Sequence, residues 1–246
     1  MPIYHGTDLI TGIRHGTELI TGVRHGDELI HTSALTRYDF NLDDADDIDP
    51  THAIWADHGP SSDFLLGIED GVARIRLPDE LVGGYFDLRW ARRRFAAATA
   101  PHDDGYIEVR AATQGNSWSA ASMSTDGYNS HVYARGSNAA YTHGVGIRMR
   151  AGHCWIVSRI SNTVTVRGTG SAKGGTFQDG DRIRKTHVGN LHTLFVNGTD
   201  IDAWNDSGGA AASGGSYRSM LIDMAAGKDI NGPRRFSPAF DYVAMA

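Results

Sequence analysis

The chain has 246 residues, a formal net charge of −6 and a mean hydropathy of −0.34, with 40% hydrophobic and 21% charged side chains. That balance excludes wholesale disorder, and an acidic sum leaves no general basic field for nucleic acid. No stretch approaches the roughly 18 apolar residues that cross a bilayer, and the first residues lack the basic and apolar segments of a secretion signal, which predicts no membrane insertion and folding in a cytoplasm.

The first 32 residues say nearly the same thing three times: "IYHGTDLITG", "IRHGTELITG" and "VRHGDELIHT". Ile3, Ile13 and Val23 fall in register, as do His5, His15 and His25, and the glycines Gly6, Gly16 and Gly26 that follow them. Each unit reads as two short apolar strands around a glycine turn, predicting a β-hairpin repeat over 1–34. A unit of ten residues buries little by itself, so it must stack on copies or on a partner, and the segment is expected to serve docking or oligomerisation. The histidine column raises a metal reading, but no carboxylate or thiol stands directly beside it at ligand spacing.

"NLDDADDIDP" has five aspartates and ends in proline. It marks 35–52 as an acidic linker, and it lacks the glycine and terminal glutamate of a calcium loop. From residue 53 to 246 the chain reads as short strands: "VARIRL", "GYIEVRAAT", "SHVYARG", "GVGIRMR", "CWIVSRI", "TVTVRG", "HTLFVNGT" and "FDYVAMA". Their β-branched and aromatic content and alternation predict an all-β fold, a sandwich with one wet face on each sheet. "PDELVGG" is the one short helical candidate, "RWARRRF" reads as a solvated strand or helix face in preference to a phosphate or anionic glycan patch, and "NDSGGAAASGGSYRS" as a surface loop. The single cysteine, Cys154, excludes an internal disulfide and reads as a core thiol.

A nucleophile elbow, a phosphate loop, a dinucleotide fingerprint and a zinc helix are all missing from the sequence, which predicts no catalytic residues, no cofactor and no metal. Sugar cleavage on a β-sandwich needs two carboxylates about 5–9 Å apart. Asp200 and Asp202 have the i, i+2 spacing that shares a strand face, with Glu108 and Glu69 as the other acids on strands. Sugar binding asks only for an aromatic face flanked by amides and acids. Trp118 with Asn116, Tyr128 with Asn129, and Trp204 with Asn205 and Asp206 supply it, and they form the predicted glycan rim.

The segment "GDRIRKTHVGNLHTLFVNGTDIDAWNDSG" resembles a strand pair of concanavalin A-like lectin/glucanase and laminin-G-like jelly rolls, and "FSPAFDYVAMA" resembles their closing strand. The resemblance covers about residues 50–246, and the Glu-x-Asp-x-x-Glu pattern of the glucanases is absent. The amino-terminal repeats ahead of such a domain resemble those of minor tail proteins of long-tailed actinobacterial phages. Together these imply a non-enzymatic virion component of the tail tip or fibre, a homotrimer docked on other tail proteins and assembled in the host cytoplasm. Its jelly roll would adhere to host envelope glycans through copy number. An envelope depolymerase using Asp200, Asp202, Glu108 or Glu69, or a purely architectural subunit, are the alternatives.

Overall fold

The computed structural model describes residues 4–5, 8–9, 14–15, 18–19, 22–25, 28–32, 36–45, 53–57, 65–76, 86–100, 102–116, 127–161, 163–169, 173–228 and 234–246. Each repeat unit folds as an antiparallel hairpin, β1 (Tyr4–His5) with β2 (Asp8–Leu9), β3 (Arg14–His15) with β4 (Glu18–Leu19), and β5 (Gly22–His25) with β6 (Glu28–Thr32). The register sets His5 opposite Asp8, His15 opposite Glu18 and His25 opposite Glu28. The i, i+3 spacing across a two-residue connection carries this register.

The remaining strands are β7 (Thr36–Asp39), β8 (Ala53–Asp57), β9 (Leu65–Glu69), β10 (Val72–Arg76), β11 (Phe86–Thr99), β12 (Gly105–Ala111), β13 (Ser130–Gly136), β14 (His143–Arg150), β15 (His153–Ile160), β16 (Thr163–Val166), β17 (Gly175–Thr176), β18 (Arg182–Val188), β19 (Leu191–Val196), β20 (Thr199–Asn205), β21 (Ser219–Lys228), β22 (Arg234–Phe236) and β23 (Phe240–Met245). They build two antiparallel sheets, and the chain is an all-β jelly-roll sandwich with no helix among the described residues. The first sheet runs β20-β19-β18-β12-β23-β10-β9, with β7 also on β23. The second runs β16-β15-β14-β13-β21-β11-β8, with β17 on β15 and β22 on β21.

Alternation places the core. Val132, Ala134, Ile147, Met149, Cys154, Ile156, Met220 and Ile222 point inward from the second sheet onto Ile107, Val109, Ile183, Leu194 and Val243 of the first. Each large aliphatic side chain buried there is worth about 1.5–3 kcal/mol. Burial also pushes the Cys154 thiol up to about 12, leaving an inert core group. Two of the two-residue hairpins show how local sequence sets the turn. Asn197 and Gly198 have φ of 51° and 85°, and Ala151 and Gly152 have φ of 44° and 76°. Both pairs have the two positive φ values of an I′ connection.

Three sequence expectations change. Residues 36–45 belong to the sandwich and not to a linker: β7 pairs with the closing strand, Tyr38 packs on Phe95 at 4.6 Å, Phe40 is 1% exposed, and Ala45 bridges Ile68. The alternation of Tyr38 and Phe40, overshadowed by the aspartates that follow, is what seats this strand. The outer face of the second sheet is not wet, because Tyr133, Tyr141, Val157 and Leu221 form a second apolar cluster on it. "RWARRRF" is likewise no solvated face; Arg93 and Arg94 are buried, and the Arg92 guanidinium lies 3.3 Å over the Trp90 ring. "PDELVGG" and most of the run after Ala45 lie outside the described residues.

Candidate active site on the second sheet

The strands of the second sheet carry apolar residues inward, so the intervening residues face outward. In "SMLIDMAAGK" Met220, Ile222 and Met224 enter the core, which turns Asp223 out; by the same parity His131 leaves β13, Arg148 leaves β14, and Arg159 and Trp155 leave β15. Register then brings these groups together. Arg92 lies opposite Asp223, Asp223 opposite His131, His131 opposite Arg148, and Arg148 opposite Trp155, one unbroken row across five strands. Gly144 and Gly146 keep β14 low beside it: a Cβ at Gly146 would sit 1.8 Å from the Val132 carbonyl oxygen, and one at Gly144 would meet the Tyr133 side chain at 2.9 Å.

The row floors a cavity of about 290 Å³ lined by Trp90, Arg92, Gly127, Asn129, His131, Arg148, Arg159, Thr163, Val164, Asp223 and Ala225. Asp223, 5% exposed, accepts a hydrogen bond from Arg159 Nη2 at 2.9 Å, one from the Tyr141 hydroxyl at 3.1 Å, and one from His131 Nδ1. Burial raises the carboxyl's affinity for a proton, but His131 and Arg159 overcome it and hold the group down at about 2, so it is ionised. His131 is shifted down, first by burial, against the pull of Asp223 and with the help of Arg159 and Arg148, and it is therefore neutral at neutral pH. A neutral imidazole bonded to a carboxylate must carry its proton on Nδ1, which leaves Nε2 as a lone pair, and Nε2 has no hydrogen-bond partner among the described residues. Arg148, fully buried, is lowered to about 10 by burial and by Arg150 and stays cationic at neutral pH. Its guanidinium lies 4.6 Å from the Trp155 ring centroid. An oriented neutral base beside fixed guanidiniums is equipment for proton abstraction from an anionic or polarised substrate.

The residues predicted from sequence lie in several places. Asn129 lines the cavity, its amide donating to the Gly127 carbonyl at 3.1 Å, and Tyr128 packs over Gly227 of β21. Asn116 holds β22, its Oδ1 accepting from Phe236 N at 2.5 Å and its carbonyl from Arg235 Nη1 at 3.1 Å. Trp204, Asn205 and Asp206 are at the far edge of the first sheet. There Trp204 stacks on His192 at 4.9 Å, and Asp206 takes the Ala210 and Ala211 amides at 2.8 and 2.6 Å. Trp118 lies outside the described residues. The structure thus brings Asn129 to the cavity, sets the Tyr128 ring over Gly227, and leaves the Trp204 group on the other sheet.

The acids named for a depolymerase do not converge. Glu108 is bound by Arg184 Nε and the Tyr242 hydroxyl, both at 2.7 Å, and Glu69 pairs with Arg74 at 3.1 Å. A register shift beside Ile201 separates Asp200 from Asp202: Asp200 is exposed, whereas Asp202 is buried and accepts from Thr169 N at 3.0 Å and Gly174 N at 2.7 Å to hold the segment after β16. Asp223, His131, Arg148 and Arg159 are what the sequence reading missed. The signal was charge at period two inside strands otherwise fit for the core, as in "SHVYARG" and "GIRMR".

No protein-family model matches the sequence, and no curated protein matches it. Solved structures do resemble the fold. The carbohydrate-binding module CBM66 from Bacillus subtilis is 8% identical, with 78% of this chain and 89% of that one covered and a TM-score of 0.43. The catalytic domain of an endo-1,3-β-glucanase (laminarinase) from Thermotoga petrophila is 9% identical, with 85% and 95% covered and a TM-score of 0.47. A β-1,3-1,4-glucanase (lichenase) from a mouse hindgut metagenome is 10% identical, with 86% and 98% covered and a TM-score of 0.48. At these identities the likeness concerns the fold alone. The expectation of a non-enzymatic protein is corrected by them: glucanases stand among the similar structures beside a binding module. None of the three is a phage tail protein.

Proposed function

We propose that the protein is a glycan-degrading enzyme of jelly-roll fold whose general base is His131. The observation that carries this reading is the row Arg92, Asp223, His131, Arg148 on the floor of a cavity, with an ionised carboxylate fixing the imidazole tautomer and Nε2 left without a partner among the described residues. The cavity is at the small end of ligand sites, suited to one sugar residue of a longer chain. Full-length protein incubated with soluble plant, algal and bacterial polysaccharides is expected to release new reducing ends. A His131→Gln variant should be slower by about 10²–10⁴-fold, the usual value of a positioned base, with an unchanged melting temperature. Equal rates for the two proteins would overturn the assignment.

Tyr128 and Asn129 are candidate sugar contacts at this cavity. Trp118, Asn116, Trp204, Asn205 and Asp206 are kept as the predicted outlying rim, to be read by titrating the same glycans against Trp204→Ala and Trp118→Ala. The phage-tail setting is supported by the repeats, which would bring such an activity to host envelope glycans as a multimer. A trimeric mass in light scattering for the full chain, beside a monomeric mass for a chain starting at Thr36, is the expected result; monomers in both would remove the assembly role.

A further inference from the structure

We infer, building on the reading of the cavity as a glycan-cleaving site, that its substrate is a polysaccharide of acidic sugars and that the bond is broken by elimination rather than by hydrolysis. The charge inventory of the described lining is three guanidiniums, Arg92, Arg148 and Arg159, against the single carboxylate Asp223. Hydrolysis of a glycosidic bond ordinarily uses two carboxyl groups across the scissile bond. The one present is already bonded to His131, Tyr141 and Arg159, and it cannot act as a free nucleophile or acid.

What the cavity has in surplus is cationic donors. Arg159 is 4% exposed, and its Nε and Nη1, both buried, have no hydrogen-bond partner among the described residues. Buried guanidinium donors without acceptors are costly unless a ligand supplies the acceptor. A sugar carboxylate fits that need, because its two oxygens match the fork of a guanidinium. Neutral glucans offer hydroxyls, which neither match the fork nor balance the charge.

The same carboxylate makes the chemistry possible. Bound to arginine, it acidifies the hydrogen on the adjacent ring carbon, C5. His131 Nε2 takes that proton, the C5–H electron pair becomes the C4–C5 double bond, and the C4–O bond breaks with its pair going to oxygen. The leaving oxygen, the anomeric oxygen of the neighbouring sugar, is protonated by solvent, and the imidazolium releases its proton to solvent. Water is not consumed and no oxidant or metal is required. Arg148 and Arg159 would neutralise the carboxylate, and His131 would be the catalytic residue.

Elimination and hydrolysis both create reducing ends, but only elimination leaves a double bond conjugated to the carboxylate, which absorbs in the ultraviolet. Full-length protein is incubated separately with alginate, polygalacturonate and hyaluronan as acidic polymers, and with laminarin and lichenan as neutral ones, while absorbance and reducing ends are followed together. The expected result is matched growth of both signals on at least one acidic polymer, none on the neutral ones, and a loss of about 10²–10⁴-fold in His131→Gln. Reducing ends from laminarin or lichenan without the chromophore would overturn the inference and leave the glycan-degrading reading standing. Reducing ends from an acidic polymer without the chromophore would do the same, retaining the substrate class but not the reaction. No cleavage of any of the five would overturn both.

Discussion

Asp223→Ala is expected to destabilise the protein by about 3–5 kcal/mol, the cost of breaking one side of a buried charge pair and leaving its partner uncompensated. For a chain of this size that lowers the melting temperature by roughly 6–20 °C, measurable by calorimetry. The size of the effect follows from what the carboxylate holds: Arg159 at 2.9 Å, the Tyr141 hydroxyl at 3.1 Å and the His131 ring, in a site where Asp223 and Arg159 are 5% and 4% exposed. Asp223→Asn separates structure from chemistry. Its carboxamide oxygen still accepts from Arg159 and Tyr141, so these hydrogen bonds survive, the charge compensation of Arg159 is lost, and the cost in stability is smaller than for alanine. Its NH₂ group, however, would face His131 Nδ1 and force the proton to Nε2, removing the base. The variant is therefore expected to be well folded and slower on its polysaccharide by about 10²–10⁴-fold. A well-folded Asp223→Asn protein with full activity would mean that Nε2 is not the proton acceptor.

The sheets were legible from the sequence because their signals are local. Alternation in "SHVYARG" and "CWIVSRI" located β13 and β15, and the "NG" of Asn197 and Gly198 located a hairpin whose two positive φ values the structure shows. The site was not legible, because it exists only through register. His131 and Asp223 are 92 residues apart, and nothing in "LIDMA" says which strand will lie beside it. Aromatic and amide residues in glycine-rich stretches were a compositional guide to sugar binding. Asn116 and Asp206 also pin neighbouring backbone, since a short polar side chain in a loop is the nearest acceptor for an otherwise unpaired N–H. The acid pair Asp200 and Asp202 fails for a related reason: the period-two rule assumes a regular strand, and a bulge at Ile201 breaks it.

Lowering the pH from 7 to about 4.5 is expected to remove about 3 kcal/mol of stability or more, through a second group of buried bases in the interior of the first sheet. Lys185, His187 and His192 are each at most 1% exposed; Lys185 Nζ lies 3.3 Å from His187 Nδ1, and the two imidazole rings are 6.4 Å apart. Burial, reinforced by Lys185 and Arg135, pushes His187 well below the ordinary histidine value and His192 down to about 2. The sign follows from linkage. In the unfolded chain these imidazoles take up protons near pH 6.5, whereas in the fold they do not, so stability is complete above that value and falls as pH drops below it. Each histidine contributes about 1.4 kcal/mol per pH unit until its folded form protonates. Over two units His192 gives the stated loss, a large part of the whole stability of an ordinary domain, and His187 adds to it in the same sense. His131, also held neutral, acts in the same sense, while Asp223 adds its own loss only between about 3.8 and about 2. Denaturant midpoints at pH 7, 6 and 5 would show the slope, and replacing His192 by Phe, which keeps a ring against Trp204, should cut it by about half. Lys185 is displaced in the same direction from a much higher starting value, first by burial and then by Arg135, so its cost is already present at neutral pH. Lys185→Met should therefore raise stability at pH 7 and leave a histidine slope below 6.5. A midpoint that does not change between pH 7 and 5 would mean that these rings take up protons without leaving the fold, and the interior would then have to supply acceptors for them.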